Sequence, residues 1–244
     1  MDERVKIIYE LLKESCTAVS KLCEDDFDAC FVKPLRENNS LSFSISSDTG
    51  ASKGVILIEG ASEVIKIPFH GYYDNRNYSY DRREASKNDK PEPNYEDYFY
   101  EFEYAGVSGI EDPNHWDYCN LECNIYERAV EEGFAEYFAA EYRVGKVHDH
   151  PIYAQQKARI YCDREDSSRH SKERLKSTSQ RCSELNIDCF NNVWISDFID
   201  AYGESELIRL IQFVDKYDIG DLHDGNIGYI DEMPVLVDYS NYRE

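Results

Sequence analysis

The spacing of apolar residues changes near residue 41, and this change constrains the fold more than any other feature of the sequence. Residues 4–24 place apolar side chains at the period of an α-helix, which predicts an amphipathic helix ended by the acidic run at 25–28. Beyond residue 41 the apolar runs are short and closely spaced, which is typical of strands. The sequence therefore predicts an N-terminal helical segment, residues 1–40, followed by a sheet.

Three strand candidates follow one another in this second region. Leu41–Ile45 alternates apolar and polar residues, whereas Val55–Ile58 and Val64–Ile67 are continuously apolar. Turn-forming residues separate the runs at 48–50 and at 59–60. Strands joined by such short turns pair in antiparallel order. The three runs therefore predict an antiparallel meander.

The remaining sequence contains both unpatterned and periodic segments. Residues 71–116 are rich in Tyr, Asn, Asp, Glu and Arg and show little periodicity, which indicates a long inserted loop. Residues 163–180 are charged and Ser-rich, which is typical of a mostly exposed helix or loop. The periodic segments are a helix at 117–132, strands at 142–147 and 152–160, helices at 192–202 and 204–217, and a hairpin of 227–230 with 235–237. This order predicts an α+β fold, with an antiparallel sheet lobe over 41–160 and a reduced helical lobe over 161–244.

The charge balance of the chain is strongly acidic. The sequence has 49 acidic and 27 basic residues, for a formal net charge of -22. Such a surface repels nucleic-acid phosphates and anionic lipids, so we expect no direct binding to nucleic acid or to a membrane. Dense negative charge also suits an inhibitor that mimics nucleic acid and docks on a basic partner. The more ordinary alternative is a surface that acidic loops keep in solution.

Composition also indicates the compartment. The first residues are charged, and no apolar run reaches the roughly eighteen residues of a membrane span. Eight cysteines without a secretory signal indicate reduced thiols. Cys119 and Cys123 lie one turn apart on a predicted helix, but no Cys-x-x-Cys pair or clustered His supports a zinc site. We therefore expect a cytoplasmic protein with free thiols.

The residues best suited to catalysis are concentrated near the C-terminus. Asn226 follows Asp221 by five residues, and Asp238 follows one short predicted hairpin. Phosphoryl transfer needs a divalent metal ion on the phosphates and an acceptor for the proton of the attacking hydroxyl. Carboxylate and amide oxygens are ligands that suit Mg²⁺. The spacing therefore predicts Asp221 as the general base and Asn226 and Asp238 as metal ligands.

This C-terminal segment resembles the protein-kinase-like superfamily, most closely its small-molecule-kinase and atypical branches. In that family the catalytic loop reads His-Gly-Asp-Leu-His-x-x-Asn and the metal motif reads Asp-Phe-Gly. Here the loop reads Ile219-Gly220-Asp221-Leu222-His223-Asp224-Gly225-Asn226, and the metal motif reads Asp238-Tyr239-Ser240. Ile219 stands where the family has its first His, and Ser240 stands where it has Gly. The resemblance implies a two-lobed, kinase-like fold that binds ATP and Mg²⁺.

The resemblance also implies a lysine and a glutamate further upstream. Lys66, within the strand candidate Val64–Ile67, resembles the strand lysine that holds the phosphates of the nucleotide. The alternative is a solvent-facing lysine on an edge strand. Glu122 fits the helix glutamate that pairs with this lysine, and Glu127 and Glu131 are competing candidates. The ordinary alternative for each glutamate is a solvated helix face.

A loop that covers the phosphates is implied between the first two strands. The segment Ser46–Gly54 has small residues there, with Gly50, Ser52 and Gly54 as the implied nucleotide contacts. An ordinary hairpin turn has the same composition. The nucleotide base is implied to bind near Tyr153–Tyr161, where the family connects its two lobes.

Six residues follow Asp238, so the resemblance implies a C-terminally truncated lower lobe without the segment that binds protein substrates. The sequence favours an ATP- and Mg²⁺-dependent phosphotransferase of unknown acceptor, with a protein partner that completes or uses this lobe. The first alternative is a pseudokinase that binds a nucleotide or a partner without transferring phosphate. The second is the acidic inhibitor that mimics nucleic acid.

Overall fold

The computed structural model describes residues 1–38, 41–50, 52–102, 115–162, 166–185, 191–220 and 222–240. These residues form an α+β fold, as predicted. They divide into two compact units. With the gaps just given, unit 1 contains residues 1–102, 115–118 and 144–153, and unit 2 contains residues 119–143 and 154–240.

The described elements are numbered in chain order. The helices are α1 (Glu3–Ser15), α2 (Glu24–Phe27), α3 (Lys33–Arg36), α4 (Asn75–Lys87), α5 (Tyr118–Glu132), α6 (Lys172–Leu185), α7 (Asn192–Tyr202) and α8 (Glu204–Lys216). The strands are β1 (Ile45–Thr49), β2 (Lys53–Ile58), β3 (Glu63–Pro68), β4 (Gly71–Tyr73), β5 (Phe99–Glu101), β6 (Glu141–Val147), β7 (His150–Gln156), β8 (Arg159–Ile160), β9 (Ile227–Ile230) and β10 (Met233–Leu236). A π-helical turn, Asp28–Val32, joins α2 to α3.

The main sheet has five strands in the order β1-β2-β3-β7-β6. The pairs β1–β2 and β2–β3 are antiparallel, which confirms the predicted meander. β3 is an internal strand, and its residues are buried on both faces from Val64 to Pro68. This explains why its sequence is continuously apolar rather than alternating.

The first strand begins later than predicted. The prediction placed it at Leu41–Ile45, whereas β1 covers Ile45–Thr49 and pairs with β2 along its whole length. β1 ends at Thr49 and β2 begins at Lys53, and the N–H of Gly50 donates to the carbonyl oxygen of Lys53 over 3.0 Å. The predicted loop over Ser46–Gly54 is therefore mostly strand, and its extent was wrong.

The N-terminal helix is shorter than predicted. α1 ends at Ser15 rather than near residue 24. The carbonyl oxygens of Cys16 and Val19 lie 3.0 and 2.9 Å from histidine ring nitrogens, so these groups have side-chain partners instead of helical ones. The acidic run at 25–28 lies in the helical segment that follows instead of ending the first helix, because carboxylates stabilise the N-terminal turn of a helix.

The predicted loop at 71–116 contains regular structure in its described part, so that prediction was wrong. β4 and β5 pair in antiparallel order on either side of α4. α4 begins after Asp74, whose carboxylate accepts a hydrogen bond from the N–H of Asn77 over 2.9 Å. No residue of α4 is buried, so the helix has no apolar period to detect. Aromatic rings pack the segment together instead, and Tyr73 stacks on Tyr95 with centroids 4.3 Å apart.

The helices α5, α7 and α8 lie where the sequence pattern predicts them, whereas α6 covers Lys172–Leu185 instead of residues 163–180. α5 ends before Gly133, whose φ of 79° is the left-handed conformation that favours glycine after a helix. β8, β9 and β10 form an antiparallel sheet. Asp231 and Glu232 turn the β9–β10 hairpin with φ angles of 50° and 65°, as a two-residue type I′ turn requires. The largest fully buried side chains here are Trp194, Phe198, Phe213 and Tyr239.

Candidate functional site

The end of α8 fixes the chain that leads into the predicted catalytic loop. Asp218 has a left-handed φ of 52°, and the N–H of Ile219 donates to the carbonyl oxygen of Val214 over 3.0 Å. The N–H of Asp218 donates to the carbonyl oxygen of Asp215 over 3.2 Å, which completes a Schellman motif. Ile219 and Val214 are both buried, and they occupy the two positions that are commonly apolar in this motif. Ile219 therefore has a packing role at the position where the resembled family has His.

The loop after Ile219 turns tightly toward Asn226. Asp221, the predicted general base, lies outside the described residues. The ring Nδ1 of His223 accepts the N–H of Gly225 over 2.9 Å, and the carbonyl oxygen of His223 accepts the N–H of Asn226 over 2.9 Å. A Cβ atom at position 225 would lie 2.8 Å from the His223 ring, so this close approach favours glycine. The turn places Asn226, which is buried, directly before β9.

The hairpin brings two predicted metal ligands to neighbouring backbone positions. β9 and β10 stay in register until Leu236 lies opposite Ile227. The N–H of Val237 extends this ladder by donating to the carbonyl oxygen of Asn226 over 2.9 Å. Asp238 is the next residue, and it is half-buried. The structure therefore places Asn226 and Asp238 at the same end of the hairpin.

Hydrogen bonds fix the chain on both sides of Asp238. The Nε2 atom of Gln155, on β7, donates to the carbonyl oxygen of Val237 over 2.6 Å. The hydroxyl of Tyr239 donates to the carbonyl oxygen of Ala139 over 2.8 Å. Burial raises the pKa of Tyr239 well above its ordinary value, so this hydroxyl stays protonated and donates at neutral pH.

Ser240 occupies the glycine position of the resembled metal motif. Its hydroxyl donates to the Oδ1 atom of Asp238 over 3.0 Å. An ionised carboxylate offers about four lone-pair positions on its two oxygens. Asp238 can therefore accept the hydrogen bond from Ser240 and still bind a cation.

Burial distinguishes the three candidate helix glutamates. Glu122 is fully buried on α5, whereas Glu127 and Glu131 are exposed on the same helix. A glutamate that serves a buried lysine must itself lie in the interior, because a solvated carboxylate is too strongly screened to offset the lysine's burial. Of the three candidates, only Glu122 meets this condition.

Glu122 belongs to a buried group that the sequence did not reveal. The ligand atoms of Cys119, Glu122 and Glu141 all lie within 4.8 Å of one another. A thiol with two carboxylates mixes soft and hard ligands, whereas Mg²⁺ prefers an all-oxygen set. The group therefore gives no support to the predicted magnesium site. Its sequence signal was slight: Glu141 follows an apolar run, Phe138–Ala140, at the start of a strand.

Lys66 is buried in unit 1. It lies on β3 opposite Val55, and its side chain is only 3% exposed. Because β3 lies between β2 and β7, the alternative of a solvent-facing lysine on an edge strand is wrong. Burial of an ammonium group is unfavourable without compensating interactions, so a lysine at this position is more than an ordinary solvated surface residue.

The three residues predicted to contact phosphates surround the β1–β2 turn in unit 1. Gly50 is exposed and Ser52 is buried, and their role in phosphate binding stays a prediction. Gly54 is buried, and a Cβ atom there would lie 2.5 Å from the ring of Phe27. Packing against Phe27 therefore accounts for glycine at position 54.

The segment Tyr153–Tyr161, predicted to lie near the nucleotide base, begins in unit 1 and ends in unit 2. Tyr153 is fully buried, and its hydroxyl donates to Asp117 over 2.7 Å. The N–H of Tyr161 donates to the carbonyl oxygen of Ile227 over 3.0 Å. The side chain of Tyr153 is thus bonded within unit 1, and the backbone of Tyr161 is bonded within unit 2.

Comparison of the chain with protein-family models, with curated proteins and with solved structures finds no match. Over the described part of the chain, no helix is both long enough and apolar enough to cross a membrane. The described cysteines are free thiols, and of these Cys162 is exposed. A proposal about the function of this protein therefore depends on the geometry of the candidate site itself.

Proposed function

We propose that this protein is an ATP- and Mg²⁺-dependent phosphotransferase of the kinase-like type, with Asn226 and Asp238 as ligands of the metal ion. The observation that carries the proposal is the 2.9 Å hydrogen bond from the N–H of Val237 to the carbonyl oxygen of Asn226. It brings an amide residue and a carboxylate residue from opposite ends of a hairpin to neighbouring positions. The sequence spacing and this convergence support the same site.

The chemistry of the two side chains suits the proposed ion. Amide and carboxylate oxygens are hard ligands of the kind that Mg²⁺ binds beside substrate phosphates. Asp238 is half-buried, so an ion can reach its carboxylate from solvent. When bound, the ion neutralises charge on the phosphates of ATP. This matters for a chain with a net charge of -22, because its field otherwise opposes the approach of the nucleotide.

The remaining roles in this proposal follow the resemblance. Asp221 accepts the proton of the attacking hydroxyl, and Lys66 binds the phosphates. Glu122 pairs with Lys66, as the resemblance to the family implies. The burial of Lys66 and Glu122 supports roles of this kind, because ionisable side chains are seldom fully buried without a specific partner.

A second candidate is a module that binds the nucleotide or a protein partner without transferring phosphate. Two observations favour it: Ser240 already donates to the Asp238 carboxylate, and Ile219 serves the end of α8 instead of supporting the loop as His does. Both features reduce the likeness to an active site but leave the ligand side chains in place.

Transfer of the γ-phosphate separates these two candidates. We expect the wild type with ATP and Mg²⁺ to show autophosphorylation, hydrolysis or transfer to a hydroxyl acceptor. The activity should disappear in Asp221→Ala and fall by roughly 100-fold or more in Asp238→Asn. Asp215→Asn, which makes the same charge change at an exposed position on α8, should match the wild type. Nucleotide binding without turnover supports the second candidate, and activity unchanged in Asp221→Ala contradicts the first.

A further inference from the structure

Gln155 forms a polar bridge in the interior of unit 2. Its side chain is 1% exposed. The Nε2 atom donates to the Oε2 atom of Glu141 over 2.8 Å and to the carbonyl oxygen of Val237 over 2.6 Å. The two hydrogens of one amide group therefore serve a carboxylate and a backbone carbonyl at once.

The second of these bonds fixes the residue before Asp238. The carbonyl oxygen of Val237 accepts from Gln155, and the N–H of Val237 donates to Asn226 over 2.9 Å. Both backbone polar groups of Val237 are thus paired with neighbours on different elements. After Asp238, the Tyr239 hydroxyl is bonded to Ala139. The carboxylate of Asp238 therefore projects from a short segment held on both sides.

We propose that Gln155 is the positioning residue for Asp238 as a metal ligand, acting through the carbonyl group of Val237. This inference rests on the proposed function and adds to it a residue that does not touch the ion. The side chain at position 155 must donate two hydrogen bonds without carrying charge, and an amide meets both requirements. Glutamate cannot donate when ionised, and it places a second negative charge beside Glu141.

Three variants separate this role from a general contribution to packing. Gln155→Met has a similar size but lacks both hydrogen bonds. Gln155→Glu regains one donor only when its carboxyl group is protonated. In the double variant Gln155→Glu with Glu141→Gln, the amide at 141 can bond the carboxylate at 155, but the carbonyl of Val237 still lacks its donor. Gln156→Met, at the half-buried neighbouring position, is the control.

Calorimetry measures the Mg²⁺-dependent binding of a nonhydrolysable ATP analogue. Hydrogen exchange measures the protection of the backbone amides of Val237 and Tyr239 in the protein without ligand. We expect Gln155→Met to bind about 10-fold more weakly and to exchange faster at both amides, while Gln156→Met matches the wild type. Binding by Gln155→Glu, relative to the wild type at each pH, should improve as the pH falls. The double variant should recover thermal stability but not affinity.

Wild-type affinity in Gln155→Met overturns the proposal. Recovery of affinity in the double variant also overturns it, because the contact of residue 155 with residue 141 would then be sufficient for binding. Unchanged exchange at Val237 and Tyr239 overturns it even if the nucleotide does not bind. Absence of Mg²⁺-dependent binding by the wild type overturns the proposed function and the metal role of Gln155. Faster exchange in Gln155→Met would then show only that the bridge holds the segment.

Discussion

The backbone N–H of Val237 donates to the carbonyl oxygen of Asn226 over 2.9 Å, one residue pair beyond the end of the β9–β10 hairpin. This contact joins the loop that carries Asn226 to the segment that carries Asp238. The register of a hairpin is set by its turn, and here Asp231 and Glu232 form that turn. A slip of one residue would change the face on which each side chain of a strand lies, so the proposed site depends on the register of the hairpin.

Asp166 is a buried carboxylate in unit 2, and its arginine partners Arg159 and Arg169 are partly exposed. It is fully buried and accepts two hydrogen bonds of 3.0 Å from Arg159 and one of 2.8 Å from the N–H of Cys162. A hydrogen bond to a charged group contributes about 1.5–3 kcal/mol. We expect Asp166→Asn to lower the free energy of unfolding by about this amount. Urea denaturation, followed by Trp194 fluorescence in a Trp116→Phe background, measures the loss in unit 2.

An exposed partner of the neighbouring arginine provides the control for Asp166. Glu232 bonds Arg169 over 3.0 Å with a side chain that is 74% exposed, so Glu232→Gln should cost less than about 1 kcal/mol. Burial raises the pKa of Asp166, but the hydrogen bonds from Arg159 and Cys162 outweigh it and hold the pKa below its ordinary value. This stabilisation is present above the unfolded pKa and is lost as the pH falls through the folded pKa. Equal losses of unfolding free energy in Asp166→Asn and Glu232→Gln would contradict the prediction for Asp166.

Two histidines of unit 1 are shielded from water, because His150 is buried and His70 is half-buried. His150 is 1% exposed, and its Nε2 atom lies 2.9 Å from the carbonyl oxygen of Val19. The ring of His70 stacks on Trp116 with centroids 3.8 Å apart and lies 5.2 Å from the ring of His150. Burial lowers the pKa of both histidines, and burial together with the charge of His150 lowers the pKa of His70 to about 4. Both side chains are therefore neutral in the folded protein near pH 7.

Acidification should destabilise unit 1 because of these histidines. Below the unfolded pKa of about 6.5 the unfolded chain binds protons that the folded chain does not, so the free energy of unfolding falls between about pH 6.5 and pH 4. The limiting slope is about 1.4 kcal/mol per pH unit for each histidine. Thermal unfolding over this range should show a smaller slope in His70→Gln, which keeps an acceptor for the N–H of Leu22. The exposed control His115→Asn should keep the wild-type slope, and an equal slope in His70→Gln would contradict the prediction.

Two glycines at the β1–β2 turn separate packing from phosphate binding. A Cβ atom at Gly54 would lie 2.5 Å from the Phe27 ring, whereas one at Gly50 would meet only the Lys53 carbonyl at 3.9 Å. We expect Gly54→Ala to cost about 1–3 kcal/mol through overpacking, and Gly50→Ala to change stability by less than about 0.5 kcal/mol. Thermal unfolding compares the two variants. If the turn binds phosphates, Gly50→Ala weakens nucleotide binding in calorimetry without a loss of stability. Equal stability of both variants would contradict the packing role of Gly54.

Segments with a strong apolar period were predictable from the sequence. α5, α7 and α8 and the strands β2 and β3 lie within two or three residues of their predicted positions, because each buries a regular set of side chains. α4 was missed because it buries none. The end of α1 was missed because histidines distant in sequence bond the carbonyls of Cys16 and Val19, and no local pattern encodes such contacts.

The candidate site was predictable only where it is local. Asn226 and Asp238 are joined by one hairpin, so their spacing and the hairpin pattern were enough to pair them. The choice of Glu122 over its neighbours required knowledge of burial, since a helix pattern with many polar residues leaves the buried face ambiguous. Gln155 and Glu141 lie on the neighbouring strands β7 and β6, so their contact depends on the exact register of these two strands. Their one local signal is that each is a polar residue beside apolar residues in a strand.

Stabilisation by an ATP analogue is the most direct test of Asn226 and Asp238 as ligands of a nucleotide-bound metal ion. A ligand at about 100 times its dissociation constant raises the free energy of unfolding by about 2.7 kcal/mol. We predict that a nonhydrolysable analogue with Mg²⁺ raises the melting temperature of the wild type and of Asp215→Asn. The increase should be lost after chelation of Mg²⁺ and in Asn226→Ala and Asp238→Asn. No increase in the wild type, or an equal Mg²⁺-dependent increase in Asp238→Asn, would contradict the assignment.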